Sequence, residues 1–275
     1  MNRKTIRVIA LDLDGTLTNS EKKISTGNKQ ALFAAMERGV QIALVSGRPC
    51  LGIRPLAEEL GLYERGGFIL AYNGGEIIDC SNRSIIFRET IPMRIVPRIC
   101  ETARELGLHL VSYDETHIYS EHPEGEYVRK EAFCCGADIL KVDRLEDILV
   151  TEPVKFISAN DPALLRQALP VMKERFGEEL NLFFSEPYFM EITPKAIDKA
   201  YGMSKLASYL GISRMNIMAC GDGYNDLPMM NYAGVSVAMG NACEEVKEAA
   251  RFITATNDED GVALAVETYV LKEES

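Results

Sequence analysis

The sequence predicts an α/β fold in which a parallel-sheet core is interrupted by an inserted α/β domain. Short apolar, β-prone runs recur at residues 7–10, 40–45, 68–72, 216–220 and 235–238, with helical stretches between them. That alternation is the signature of buried parallel strands. Four of these runs end in small or polar residues: Asp12 and Asp14, Ser46-Gly47-Arg48, Asn73-Gly74-Gly75, and Gly221-Asp222. Between the third and fourth runs the rhythm changes to two groups of short, half-buried strands and helices, a segment of ordinary domain size. The expected core is 1–84 and 192–275, and the expected insertion is 85–191.

The elements follow in order. After the first strand, Ser25 or Thr26 caps a helix running to about Arg38, and Gly39 closes it. A second strand at 40–45 leads into a helix at 51–60, where Pro55 marks an irregularity or a break. The third strand, 68–72, turns at Asn73-Gly74-Gly75 into Glu76-Ile77-Ile78. Within the insertion, strands are expected at 84–87, 108–111, 117–120, 155–159 and 181–185, and helices at 97–106, 124–135 and 162–176. The core resumes with a helix at 197–210, strands at 216–220, 235–238 and 252–254, and helices at 244–250 and 262–271.

Composition narrows the function. The chain has 275 residues, 47% hydrophobic, and a net charge of -11. That charge disfavours nucleic acid and anionic membranes as partners, and an anionic substrate would need local positive charge at its site. No apolar run reaches the length of a membrane span. Met1-Asn2-Arg3-Lys4 carries no signal-peptide pattern, and the seven cysteines include no Cys-x-x-Cys. Both point to a reducing cytoplasm. His109, His117 and His122 all fall in the insertion without metal-ligand spacing, and Cys134-Cys135 reads as packing. The sequence leaves a monomer and a small homo-oligomer equally open.

The chemistry gathers at strand ends. Asp12 and Asp14 follow the first strand one residue apart. In an extended chain such residues point the same way, so both carboxylates face one small site. Two close carboxylates suit a hard cation, or a nucleophile beside an acid/base; taken alone they also read as a turn that caps the next element. Ser46 and Gly47 offer a hydroxyl and an amide to a phosphate, or form an ordinary capped loop. Asn73-Gly74-Gly75 is a hairpin turn, a substrate-facing loop, or both. Lys195, Lys199 and Lys205 lie in or near the helix at 197–210, and Asp222, Asn225 and Asp226 follow the strand at 216–220. Collected at one sheet edge, acids, a lysine, a hydroxyl and an amide form a bipolar site suited to phosphoryl transfer. No Walker sequence, His-Glu-x-x-His or Gly-x-Ser-x-Gly is present, so the attacking group is sought among the carboxylates.

Asp12-Leu13-Asp14-Gly15-Thr16-Leu17, Ser46-Gly47-Arg48, Lys199 and Gly221-Asp222-Gly223-Tyr224-Asn225-Asp226 resemble, in order and spacing, the four motifs of the haloacid dehalogenase superfamily. The insertion, Asn73-Gly74-Gly75, the Ser185 to Ile192 segment and Val237-Ala238-Met239-Gly240-Asn241-Ala242 resemble its Cof-type sugar-phosphatase branch. The resemblance implies a doubly wound, Rossmann-like core with a mobile α/β cap. It implies that Asp12 attacks phosphorus and that Asp14 is the acid/base. Mg2+ would be held by Asp12, the backbone carbonyl of Asp14 and Asp222, with Asp226 supporting them. Leu13 (through its backbone), Ser46, Gly47, Lys199 and Asn225 would hold the phosphoryl group. The family often has glycine after the motif lysine, where this chain has Ala200, which leaves Lys195 as a rival to Lys199. Arg48, Asn73, Gly74, Glu186 and Tyr188 are candidate substrate contacts, with ordinary loop roles as the alternative. The expected activity is Mg2+-dependent hydrolysis of small phosphorylated metabolites, with sugar phosphates implied by the branch's example. A phosphomutase with the same aspartyl-phosphate, or a non-catalytic phosphometabolite-binding protein, is the alternative.

Overall fold

The computed structural model describes residues 6–272, so the expectation for Met1-Asn2-Arg3-Lys4 lies outside the described residues. Val8–Leu11 (β1) is buried at every position, as a central strand of apolar residues requires. Thr26–Glu37 (α1) starts where the Ser25 hydroxyl accepts the Asn28 N–H at 3.1 Å, and Gly39 at φ +80° turns the chain out of it. Gln41–Val45 (β2) precedes Cys50–Glu59 (α2) and the short Leu62–Arg65 (α3). Pro55 lies inside α2 without ending it. A proline there removes one backbone hydrogen bond, and the buried Ile53, Ala57 and Leu60 hold the segment in place. Phe68–Ala71 (β3), Glu76–Asp79 (β4) and Ser84–Arg88 (β5) follow.

Next come Val96–Glu105 (α4), Leu110–Tyr113 (β6), His117–Ser120 (β7), Glu126–Cys135 (α5) and Asp138–Lys141 (β8). Leu145–Ile148 (α6), Phe156–Ala159 (β9), Pro162–Phe176 (α7), Leu180–Glu186 (β10) and Phe189–Pro194 (β11) complete that stretch. Lys199–Leu210 (α8), Ile217–Gly221 (β12), Leu227–Tyr232 (α9) and Val235–Ala238 (β13) come after it. Glu244–Ala249 (α10), Phe252–Ile253 (β14) and Gly261–Val266 (α11) end the described chain, with a π-helical turn at Glu267–Leu271.

The chain forms two compact units. One holds the described residues through Gly47, then Ile53–Phe87 and those from Asp198 onward; the other holds Arg48–Gly52 and Arg88–Ile197. The first unit has an eight-stranded sheet in the order β14-β13-β12-β1-β2-β3-β4-β5. Its strands from β14 to β3 run parallel, and β4 turns back antiparallel on β3. The chain leaves β1 toward β2 on one side and returns to β12 on the other. The end of β1 is therefore the topological switch point, where doubly wound sheets place their sites.

The second unit has a six-stranded sheet ordered β10-β11-β9-β6-β7-β8. Ile99, Leu165, Met172 and Phe176 of α4 and α7 pack with Phe156, Met190 and Ile192. Val128 and Ala132 of α5 pack with Val111, Ile157 and Phe189. Alternate residues of β9 thus enter different cores, which is why β9 and β11 are buried throughout rather than half-buried. Two assignments from the sequence change. β5, expected to open the insertion, neighbours β4 in the first sheet, and β11, partly assigned to the core, pairs with β10 and β9 in the second. The units accordingly divide at 87/88 and 197/198 rather than 84/85 and 191/192.

Candidate active site

The parallel pairing of β1 with β12 brings Asp12 and Asp222 to adjacent strand ends, and the Asp12 N–H still donates to the Cys220 carbonyl at 3.1 Å. After β12 the chain folds back on itself, and Asp226 Oδ2 accepts the N–H groups of Asp222 and Gly223 at 2.8 and 2.9 Å. Thr16 donates its hydroxyl to Asp222 Oδ1 at 2.7 Å. Gly15 has φ +81°, and a Cβ there would lie 2.3 Å from Asp222 Oδ2. Glycine at 15 is what lets the two loops close. One oxygen each from Asp12, Asp222 and Asp226 then lies within 4.8 Å of the others.

Lys199 opens α8, whose N-terminus is capped by the Asp198 side chain on the Tyr201 N–H at 2.7 Å. The helix approaches the turn after β3 through two glycines: a Cβ on Gly202 would lie 2.5 Å from Gly74 Cα, and one on Gly74 would lie 2.7 Å from Gly202 Cα. This close packing carries the fully buried Lys199 ammonium to 2.5 Å from both Asp12 Oδ1 and Asp226 Oδ1. Burial opposes the lysine charge, but Asp12 and Asp226 outweigh it and hold Lys199 above the ordinary lysine value. Burial, reinforced by Asp226, pushes Asp12 up to about 8 despite Lys199. Burial also raises Asp222, against the Thr16 hydrogen bond.

One lysine among three acids leaves the cluster short of positive charge. Asp226 has both oxygens committed to protein donors, whereas Asp12 Oδ2 and Asp222 Oδ2 accept no hydrogen bond from the described residues. An all-oxygen set with two free carboxylate oxygens fits a hard divalent cation that keeps several waters.

The other sequence candidates are distributed as follows. Asp14 does not join the Asp12–Asp222–Asp226 cluster; its Oδ1 pairs with Lys22 Nζ at 2.7 Å. β1 ends at Leu11 and the backbone turns, with the Leu13 carbonyl accepting the Thr16 and Thr18 N–H groups at 3.3 and 2.9 Å, so Asp14 is set off from the three clustered oxygens while its charge still raises Asp222. Ser46 and Gly47 follow β2, and the Ser46 carbonyl accepts the Asn73 N–H at 2.8 Å. Asn225 Nδ2 donates to Asn73 Oδ1 at 3.3 Å. Gly74 serves helix packing. Arg48, Glu186, Tyr188 and Lys195 belong to the second unit. There Tyr188 stacks on Tyr127 at 5.4 Å with the Lys130 ammonium 3.6 Å from its ring centre, and Lys195 Nζ bonds the Gly177 carbonyl. Lys199, not Lys195, is the lysine beside Asp12.

Sequence reasoning assigned no role to Thr16, Gly202 or the asparagines that brace the loop after β1. Asn241 Nδ2 donates to the Gly15 carbonyl at 2.8 Å, Asn257 Nδ2 to the Thr18 carbonyl at 3.0 Å, and Asn28 Nδ2 to the Leu17 carbonyl at 3.4 Å. Asn241 lies in a segment noted only for its family resemblance, and no local pattern pointed to this bracing.

Residues 9–266 match the haloacid dehalogenase-like hydrolase family. A solved haloacid dehalogenase-like hydrolase from Bacteroides thetaiotaomicron is 44% identical with a TM-score of 0.93, over 96% of this chain and 99% of that one. The subclass IIB sugar phosphatase BT4131 is 25% identical with a TM-score of 0.79, over 96% and 98% of the two chains. The 5-amino-6-(5-phospho-D-ribitylamino)uracil phosphatase YcsE of Bacillus subtilis is 32% identical over 267 residues, 97% of this chain and 96% of that protein. No helix among the described residues is long and apolar enough to cross a membrane. The doubly wound core with its inserted α/β unit and the motif resemblance agree with these relatives, and the chain belongs to the haloacid dehalogenase-like hydrolase family, in its phosphatase branch.

Proposed function

We propose that this enzyme is a Mg2+-dependent phosphatase acting on small phosphorylated metabolites, sugar phosphates foremost, through an aspartyl-phosphate on Asp12. The observation that carries the reading is the buried Lys199 ammonium shared by Asp12 and Asp226 beside Asp222. Lys199 fixes the Asp12 carboxylate through Oδ1 and keeps positive charge where a phosphoryl group would arrive. Asp12, Asp222 and the Asp14 carbonyl would hold Mg2+, which would supply charge neutralisation to the transferring group.

In the first step an Asp12 carboxylate oxygen bonds to phosphorus and the bond from phosphorus to the alcohol oxygen breaks. Asp14, released from Lys22, gives its proton to that oxygen. In the second step water attacks phosphorus, its proton passes to Asp14, and Asp12 leaves as carboxylate with inorganic phosphate freed. Ser46, Gly47, Asn225 and the Leu13 backbone hold the phosphoryl oxygens. The second unit, a proposed cap, reads the alcohol, with Arg48, Glu186 and Tyr188 as candidate contacts. The sugar-phosphatase and phospho-ribityl phosphatase relatives favour a phosphorylated sugar or polyol.

The test is phosphate release from a panel of sugar phosphates, polyol phosphates, nucleotides and an aryl phosphate in Mg2+, with no bisphosphate added. Graded turnover, highest on compact phosphorylated sugars, is expected. Turnover that requires a bisphosphate activator, or none across the panel, rejects the reading.

A further inference from the structure

The turn between β3 and β4 holds two consecutive non-glycine residues in left-handed backbone, Tyr72 at φ +54° and Asn73 at φ +55°. Such residues are strained, and asparagine tolerates the strain better than most. Glycine stands at the next two positions, Gly74 and Gly75, but not at these. What the strained backbone positions is the Asn73 amide. The Asn73 N–H is tied to the Ser46 carbonyl at 2.8 Å, and Oδ1 accepts Asn225 Nδ2 at 3.3 Å. Nδ2 donates to none of the described residues. It also lies over Gly47: a Cβ on residue 47 would sit 3.2 Å from it. Glycine at 47 therefore keeps this approach open.

Two amide N–H bonds without an acceptor thus sit among Ser46, Gly47 and Asn225, the residues assigned above to the phosphoryl group. Donors held in place beforehand, with no acceptor of their own, are what a transferring phosphoryl oxygen requires. We infer that Asn73 is a further phosphoryl-binding residue: Nδ2 donates to a phosphoryl oxygen while Oδ1 holds Asn225 in place. The inference rests on the proposed phosphatase reading. It differs from a contact to the alcohol, because a phosphoryl ligand acts on every substrate alike.

The test compares Asn73→Gly and Asn73→Asp with the wild-type chain. Steady-state rates are measured on a turned-over sugar phosphate and on 4-nitrophenyl phosphate, together with inhibition by inorganic phosphate and the melting temperature. Asn73→Gly accepts φ +55° without strain, so it should melt at or above wild type. Its kcat/KM should nevertheless fall about a hundredfold on both substrates, the scale seen when one transition-state donor is removed. Inhibition by phosphate should weaken about tenfold, the loss of one hydrogen bond to a charged group. Asn73→Asp keeps the shape but sets an anion against an anion, and should lose more on every count. Rates within twofold of wild type overturn the inference, and so does a loss confined to the sugar phosphate with phosphate inhibition unchanged. Asp12→Asn in the same assays separates the two readings. If it keeps activity, the phosphatase mechanism fails; if it is inactive while the Asn73 variants match wild type, only the role of Asn73 fails.

Discussion

Lys199 Nζ lies 2.5 Å from Asp12 Oδ1, a fully buried cation against a nearly buried carboxylate 187 positions away in sequence. Both groups are costly to bury singly, and each is the other's principal compensation. Lys199→Met should leave Asp12 and Asp226 uncompensated and destabilise the fold by about 3 kcal/mol, the scale of a broken buried pair. Phosphatase kcat/KM should fall at least a hundredfold. Urea unfolding and steady-state kinetics check both, and near-normal turnover in a folded variant would remove Lys199 from the site.

The Gly74–Gly202 contact makes a second claim. A methyl on either glycine overlaps the other's backbone, so α8 must move and carry Lys199 with it. Gly202→Ala should cost about 1–3 kcal/mol through overpacking. It should also lower kcat more than it raises KM, because Lys199 and Asp12 separate. Unchanged kcat with unchanged melting would show that the helix has room to spare.

Metal removal and pH are linked through Asp12. Its folded value, about 8, lies above the ordinary carboxylate value of 3.8 because burial disfavours the charge. The folded state therefore holds a proton that the unfolded chain has lost, and metal-free stability is greatest below the ordinary value and falls as pH rises toward about 8. Asp12→Asn should flatten that slope. EDTA should abolish activity and Mg2+ restore it, while Ca2+, which prefers more ligands at longer distances, should not. Mg2+ should also raise the melting temperature more at pH 8 than at pH 6, because protons compete with the metal at Asp12. Full activity in EDTA or in Ca2+ would contradict this account.

Much of the architecture was legible because buried strands and their polar termini are local signals. β13 and α7 fall where the periodicity and turn residues put them, and Asp12, Asp222 and Asp226, from the two strand ends after β1 and β12, converge. What was not legible depends on partners distant in sequence. β5 reads alike as an edge strand of either sheet, and only its place beside β4 decides between them. The Gly74–Gly202 approach joins residues that no local pattern relates, and Thr16 gains its role only when β12 delivers Asp222. Asp14 stands apart from the Asp12–Asp222–Asp226 oxygens because β1 ends at Leu11 and the two-residue alternation of an extended chain ends with it.

The measurement that bears most directly on the mechanism is chemical trapping of the phosphorylated enzyme. The enzyme is quenched in acid during turnover of a good substrate, reduced with borohydride and digested, and the peptide containing residue 12 is weighed. An acyl phosphate is reduced to the alcohol, so the account predicts homoserine at position 12, absent without substrate. Homoserine at any other aspartate, or an unmodified Asp12 under conditions of rapid turnover, would contradict it.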